Sequence, residues 1–69
     1  MADKKVVTKG GGKNLYKVGE SGGTYYVSQV DAGFLSNSFT SLGKTRSMKD
    51  ALDIIRSVSG KEIESMSDW

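Results

Sequence analysis

Apolar and polar positions along the chain change period once, and that change divides it into a strand-forming half and a helical segment. From Asn14 to Gly19 the β-forming residues Leu15, Tyr16 and Val18 define a first strand. Ser21-Gly22-Gly23 follows, and Thr24-Tyr25-Tyr26-Val27-Ser28-Gln29-Val30 is the strongest strand signal present. A Gly-Gly pair supplies the positive φ angles that a two-residue turn needs, so a β-hairpin is expected here. Asp31-Ala32-Gly33 reads as an Asx-type turn, and a third strand is expected over residues 38–43. Its apolar residues, Phe39 and Leu42, lie three apart and therefore on opposite faces of a regular strand, so either a bulge intervenes or both faces are partly covered.

After Arg46 the period becomes helical. Met48, Ala51, Leu52, Ile55 and Val58 form an apolar stripe, with Ser47 as N-cap, Asp50 three residues on, and Gly60 where a left-handed C-cap belongs. Such a helix needs an apolar surface to lie on, and the sheet is the one candidate. The fold expected is therefore α+β: a three-stranded antiparallel sheet packed against one C-terminal amphipathic helix, in the order βββα, over residues 14–60. Residues 1–13, with four lysines and Gly10-Gly11-Gly12, read as a flexible basic arm to which Val6 and Val7 add little, and residues 61–69 as a polar, frayed tail.

At 69 residues there is room for one core. Cysteine and histidine are absent, which excludes disulfides, thiolate chemistry and the usual zinc and copper ligands, so no metal and no cofactor is expected. Met-Ala-Asp-Lys-Lys leads into no apolar run, and no stretch approaches the ~20 apolar residues of a membrane span, which points to the cytoplasm. The net charge of +2 is unevenly spread: residues 1–46 hold seven Lys/Arg and three Asp/Glu (+4), residues 47–69 three and five (−2). That polarity suits a polyanion at one end, while the total is well below that of dedicated nucleic-acid binders.

Leu42-Gly43-Lys44-Thr45 carries the last residues of a phosphate-binding loop, but Ser38 stands where its first glycine belongs. Gly10-Gly11-Gly12-Lys13 fails the same test, with Val7 in the first position and Asn14 in place of the hydroxyl. No carboxylate pair has a partner that would define a catalytic task, and no serine sits in a nucleophile elbow, so no enzyme is expected. What remains are two contact sets. Lys44, Arg46 and Lys49 flank the helix start, where free amides attract anions, and Lys13 and Lys17 add charge to a nucleic-acid or anion surface. Tyr16, Tyr25 and Tyr26 cluster on the hairpin; adjacent Tyr25 and Tyr26 point to opposite faces, so one belongs to the core and the other can meet a partner.

From Leu15 to Val58 the order strand, Gly-Gly turn, strand, turn, strand, then Gly-Lys-Thr-Arg-Ser-Met-Lys-Asp-Ala, resembles small strand-strand-strand-helix nucleic-acid modules. It is similar to the integrase arm-binding and ethylene-response-factor domains, to the last two-thirds of double-stranded-RNA-binding domains, and equally to short single-domain bacterial proteins. The first two types read DNA with arginines and tryptophans on the exposed sheet, where these strands offer Lys17, tyrosines and small hydroxyls. The RNA-binding type has a first helix with no counterpart in the glycine-rich arm, and a basic helix start that Lys44, Arg46 and Lys49 partly match. Taken together, these readings lead to a small non-enzymatic module, by default a monomer, that binds a protein partner through its exposed sheet face and tyrosines. The alternative is a weak, salt-sensitive nucleic-acid binder using the arm and helix start.

Overall fold

The computed structural model describes residues 2–10, 14–33 and 35–69. It is an α+β fold with one antiparallel sheet and one helix, but the sheet has five strands and the helix is followed by the last of them. In chain order the elements are β1 (Ala2–Thr8), β2 (Leu15–Ser21), β3 (Thr24–Ala32), β4 (Asn37–Thr45), α1 (Met48–Ser59) and β5 (Ile63–Asp68). Across the sheet they run β4-β3-β2-β1-β5, every neighbour antiparallel. The chain therefore meanders through four strands to one edge, and α1 carries it across one face to the other edge.

The hairpin forms as its turn dictates. Gly22 and Gly23 have φ of 60° and 84°, Ser21 faces Thr24, and the Glu20 carboxylate accepts from the Gly23 amide at 2.8 Å. The paired Val18 and Val27 point to the helix side, as does Tyr16. Between β3 and β4 the register shifts: Val27 faces Gly43 but Ser28 faces Ser41, so Leu42 is an extra residue on β4. This bulge resolves the three-residue spacing of Phe39 and Leu42. Phe39 pairs with Val30 on the far face, whereas Leu42 packs against the core under the helix. Gly43 takes a φ of 151°, which L side chains rarely adopt, and a Cβ there would touch Ile54 Cδ1 at 3.8 Å.

The helix is capped as its sequence predicts. Ser47 Oγ accepts from the Asp50 amide at 3.1 Å, and Gly60, at φ 69°, donates its amide to Arg56 O at 2.8 Å. Ala51 and Ile55 are fully buried against Val6, Tyr16, Val18 and Val27, with Tyr25, Leu42, Met48, Leu52, Ile54 and Ile63 packed around them. Burying Ile55 contributes about 1.5–3 kcal/mol. Val58, expected in the same stripe, is exposed; Ile54 replaces it because the bulge at Leu42-Gly43 brings β4 beneath that side of the helix.

Both ends correct the expected layout, since Ala2–Thr8 and Ile63–Asp68 are strands of the sheet and not an arm and a frayed tail. β1 lies between β2 and β5, bonded on both sides, and its Val6 is fully buried. Backbone pairing depends little on side-chain type, so two valines suffice once neighbours exist on either hand. Asn14 closes the β1–β2 connection by donating from Nδ2 to Gly10 O at 3.1 Å and Thr8 O at 3.3 Å. Gly11, Gly12, Lys13 and Phe34 lie outside the described residues.

Along β5, Lys4 and Asp68 face each other as an ion pair, and Lys4's hydrogen bond and charge hold the Asp68 carboxyl below its ordinary value. The pair supports folding above the ordinary carboxylate range, and the support disappears as pH falls through the lowered pKa. Its full exposure keeps the effect small.

The bulge yields a direct test. Gly43→Ala is expected to cost about 1–3 kcal/mol in urea unfolding, because the alanine must adopt a φ reserved for glycine. Gly22→Ala, at φ 60° in the open hairpin turn, is expected to cost less, since nothing lies within 4 Å and the left-handed region there is accessible at about 1 kcal/mol.

Candidate functional site

One twelve-residue helix covers one face of the sheet, so the residues that alternate with the core line the other. The registers arrange that face in three rows. The first runs Trp69, Asp3, Gly19, Tyr26, Lys44; the second Ser67, Lys5, Lys17, Ser28, Ser41; the third Ser65, Val7, Leu15, Val30, Phe39. Trp69 joins the first row because its amide donates to Asp3 O at 3.1 Å. Glycine and serine in the centre leave a low floor, and large side chains lean over it from the edges.

Phe39 and Trp69 start on opposite edge strands and meet above that floor, ring centroids 6.1 Å apart and planes inclined at 55°. The Lys17 ammonium lies 5.2 Å from the Phe39 centroid and 5.0 Å from that of Trp69, and 3.7 Å from Asp3 Oδ2. Cation–π attraction draws both rings to the lysine and holds them half open to solvent, at 50% and 46% exposure. Tyr26, beside Gly19, is exposed to a similar extent, 49%. In the described residues the face thus carries three accessible aromatic rings together with Lys5, Lys17, Lys44 and Arg46.

Two grooves share Tyr26. One, of about 270 Å³, is lined by Gly19, Ser28, Tyr26 and Phe39, with the Asp3–Lys17 pair, and by Glu20 and Ser21. The other, of about 300 Å³, is lined by Thr24, Tyr26, Lys44, Thr45 and Arg46. The cations lie beyond the tyrosine ring from the ion pair, so the two grooves differ in character: the first holds the Asp3–Lys17 pair and a second carboxylate, Glu20, and the second is basic.

The sequence-derived contact residues are divided by this arrangement. Tyr16 is 2% exposed and Tyr25 packs on the core, so both belong to the helix-side layer, and Tyr26 is the hairpin tyrosine that faces outward. Lys44 and Arg46 come together, but at the second groove with Tyr26; Lys49 belongs to α1 and does not line that groove. Lys17 occupies the centre of the open face, and Lys13 lies outside the described residues. Asp3, Lys5, Phe39 and Trp69 were not named as contact residues from sequence, although Phe39 was placed on the face opposite Leu42. For Trp69 the signal was its alternation with Ser65 and Ser67, which reads as one face only once Ile63–Asp68 is recognised as a strand.

No group of three or more carboxylates that could hold a metal exists among the described residues, and no helix there is long and apolar enough to cross a membrane. The chain matches no family model, no curated protein and no solved structure.

The lone tryptophan reports on this cluster. Phe39→Ala is expected to shift Trp69 emission to the red and to raise its quenching by acrylamide, with unfolding stability lowered by less than about 1.5 kcal/mol, because the ring is half exposed. An unchanged spectrum would mean that the two rings do not meet in solution.

Proposed function

We propose that this chain is a non-enzymatic binding module whose open sheet face takes single-stranded nucleic acid. The observation that carries the reading is the placement of three half-exposed rings, Tyr26, Phe39 and Trp69, on the face that also holds Lys5, Lys17, Lys44 and Arg46. Bases stack on exposed rings whatever their identity, and cations beside the rings follow the phosphates. A single strand fits better than a duplex because stacking needs unpaired bases. On the opposite layer α1 is electrically balanced, Lys49 and Arg56 against Asp50 and Asp53, so the unpaired cations of the open face have no counterpart there.

This reading keeps the nucleic-acid alternative but moves its site from the arm and helix start to the sheet. Lys44 and Arg46 seat a phosphate, Tyr26 carries a base, and Phe39 and Trp69 carry another once they part around Lys17. Binding is modest, as a net charge of +2 and four cations imply, and the protein acts as a cytoplasmic monomer. A protein partner is the second reading. It is favoured by the third row, where the partly exposed Val7, Leu15 and Phe39 form an apolar strip around the buried Val30, and it predicts contact that changes little with salt.

The test is fluorescence anisotropy with labelled heptamers of uridine and of thymidine, which separates RNA from DNA as the source. Besides the ion-paired Lys17, three cations face the strand, so log K should fall against log salt with a slope of about −2. Tyr26→Ala and Trp69→Ala should each weaken binding about tenfold. Absence of binding at low salt, or equal affinity in both variants, would reject the reading.

A further inference from the structure

We propose that the groove between Tyr26 and Phe39 is a base-selective seat, and that the Asp3–Lys17 pair in its lining selects guanine. The inference rests on the single-strand reading above and names the base that its central site prefers. At about 270 Å³ the groove is at the small end for ligand sites, suited to one heterocycle and not to a larger molecule. Its floor is Gly19 and Ser28, which leave the sheet surface flat enough for a planar ring, and Tyr26 offers that ring a face.

The ion pair is where bases can be told apart. Asp3 is an acceptor at both oxygens and Lys17 is a donor only, so a base must present donors to one and an acceptor to the other. Guanine does so along one edge: its ring N–H and exocyclic amino group match the carboxylate, and the adjacent carbonyl matches the ammonium. Cytosine and adenine offer the carboxylate one amino group and no ring N–H beside it. Uracil and thymine turn carbonyl oxygens toward it on both sides of their single N–H. Glu20 also lines the groove, with one carboxylate oxygen turned to the hairpin turn, where it accepts from the Gly23 amide at 2.8 Å.

Asp3 is held in place by the backbone and by a missing side chain. Its carbonyl accepts from the Trp69 amide at 3.1 Å, and its Oδ1 lies where a Cβ on Gly19 would come within 2.9 Å. Glycine at that position therefore makes room for the carboxylate to lie against β2, beside Lys17 at 3.7 Å. The pair is about one-third accessible, enough for a base edge to reach it and little enough for the contact to discriminate.

The experiment compares heptamers that differ in the central residue, UUUGUUU, UUUAUUU, UUUCUUU and UUUUUUU, against the full chain at low salt. The guanine heptamer is expected to bind at least about fivefold more tightly than the all-uridine one, with adenine and cytosine between. Asp3→Asn should remove the preference when the four heptamers are compared within the variant, while raising affinity for all of them because Lys17 is released from its ion pair. Gly19→Ala should reduce the preference without changing charge, by displacing Asp3. Equal binding of all four heptamers, or a guanine preference that survives Asp3→Asn, overturns base selection while the stacking face stands. Failure of every heptamer to bind overturns both.

Discussion

The double pairing of β1 holds the rest of the molecule in register. β2 bonds it on one side and β5 on the other, so the first and last strands of the chain are neighbours, and the edge that β5 forms exists only because β1 is already in place. Val6 adds one fully buried side chain to the core, and Asp3 and Lys5, on the other side of the strand, contribute to the open face. The positions of Trp69 and Asp68 follow from the same pairing, the former through Asp3 O and the latter through Lys4. A chain of this size buries little, and the two added strands let Ile55 and Ala51 close over a surface three strands alone would not provide.

From that architecture comes an imbalance between faces. Twelve helical residues span about 18 Å, which is enough to cross one face of five strands and leaves the other without a layer. A bare apolar face would aggregate, and this one instead confines its apolar row to Val7, Leu15, Val30 and Phe39, with serine, glycine and lysine over the rest and rings gathered around an ammonium group. The Phe39–Lys17–Trp69 arrangement keeps aromatic surface close to water at limited cost, because the cation and Asp3 are near. Such a cluster can exchange its internal contacts for stacking on a base, which is the physical link between the fold and the function proposed.

The hairpin and the helix were legible in the sequence because each rests on local chemistry: positive φ at Gly22 and Gly23, the Ser47 cap, the left-handed Gly60, and apolar residues at helical spacing. The β4 bulge was half legible, since Phe39 and Leu42 could not share a face in a regular strand. β1 and β5 were not, for a shared reason. Their stability comes from main-chain bonds to neighbours distant in sequence, and ADKKVVT and IESMSD carry too few apolar residues to announce it. The site suffered accordingly. Lys17, Lys44, Arg46 and Tyr26 could be named from local pattern, but Trp69 and Asp3 acquire meaning only from strands that long-range pairing creates.

A titration followed by two-dimensional amide and indole NMR, with labelled protein and an unstructured heptanucleotide at low salt, tests the central claim most directly. Shifts are expected to gather at Lys5, Lys17, Gly19, Tyr26, Ser28 and the Trp69 indole, with Ala51, Ile55 and the remainder of α1 unmoved. Shifts centred on the first turn of α1, or none at any residue, would contradict the claim.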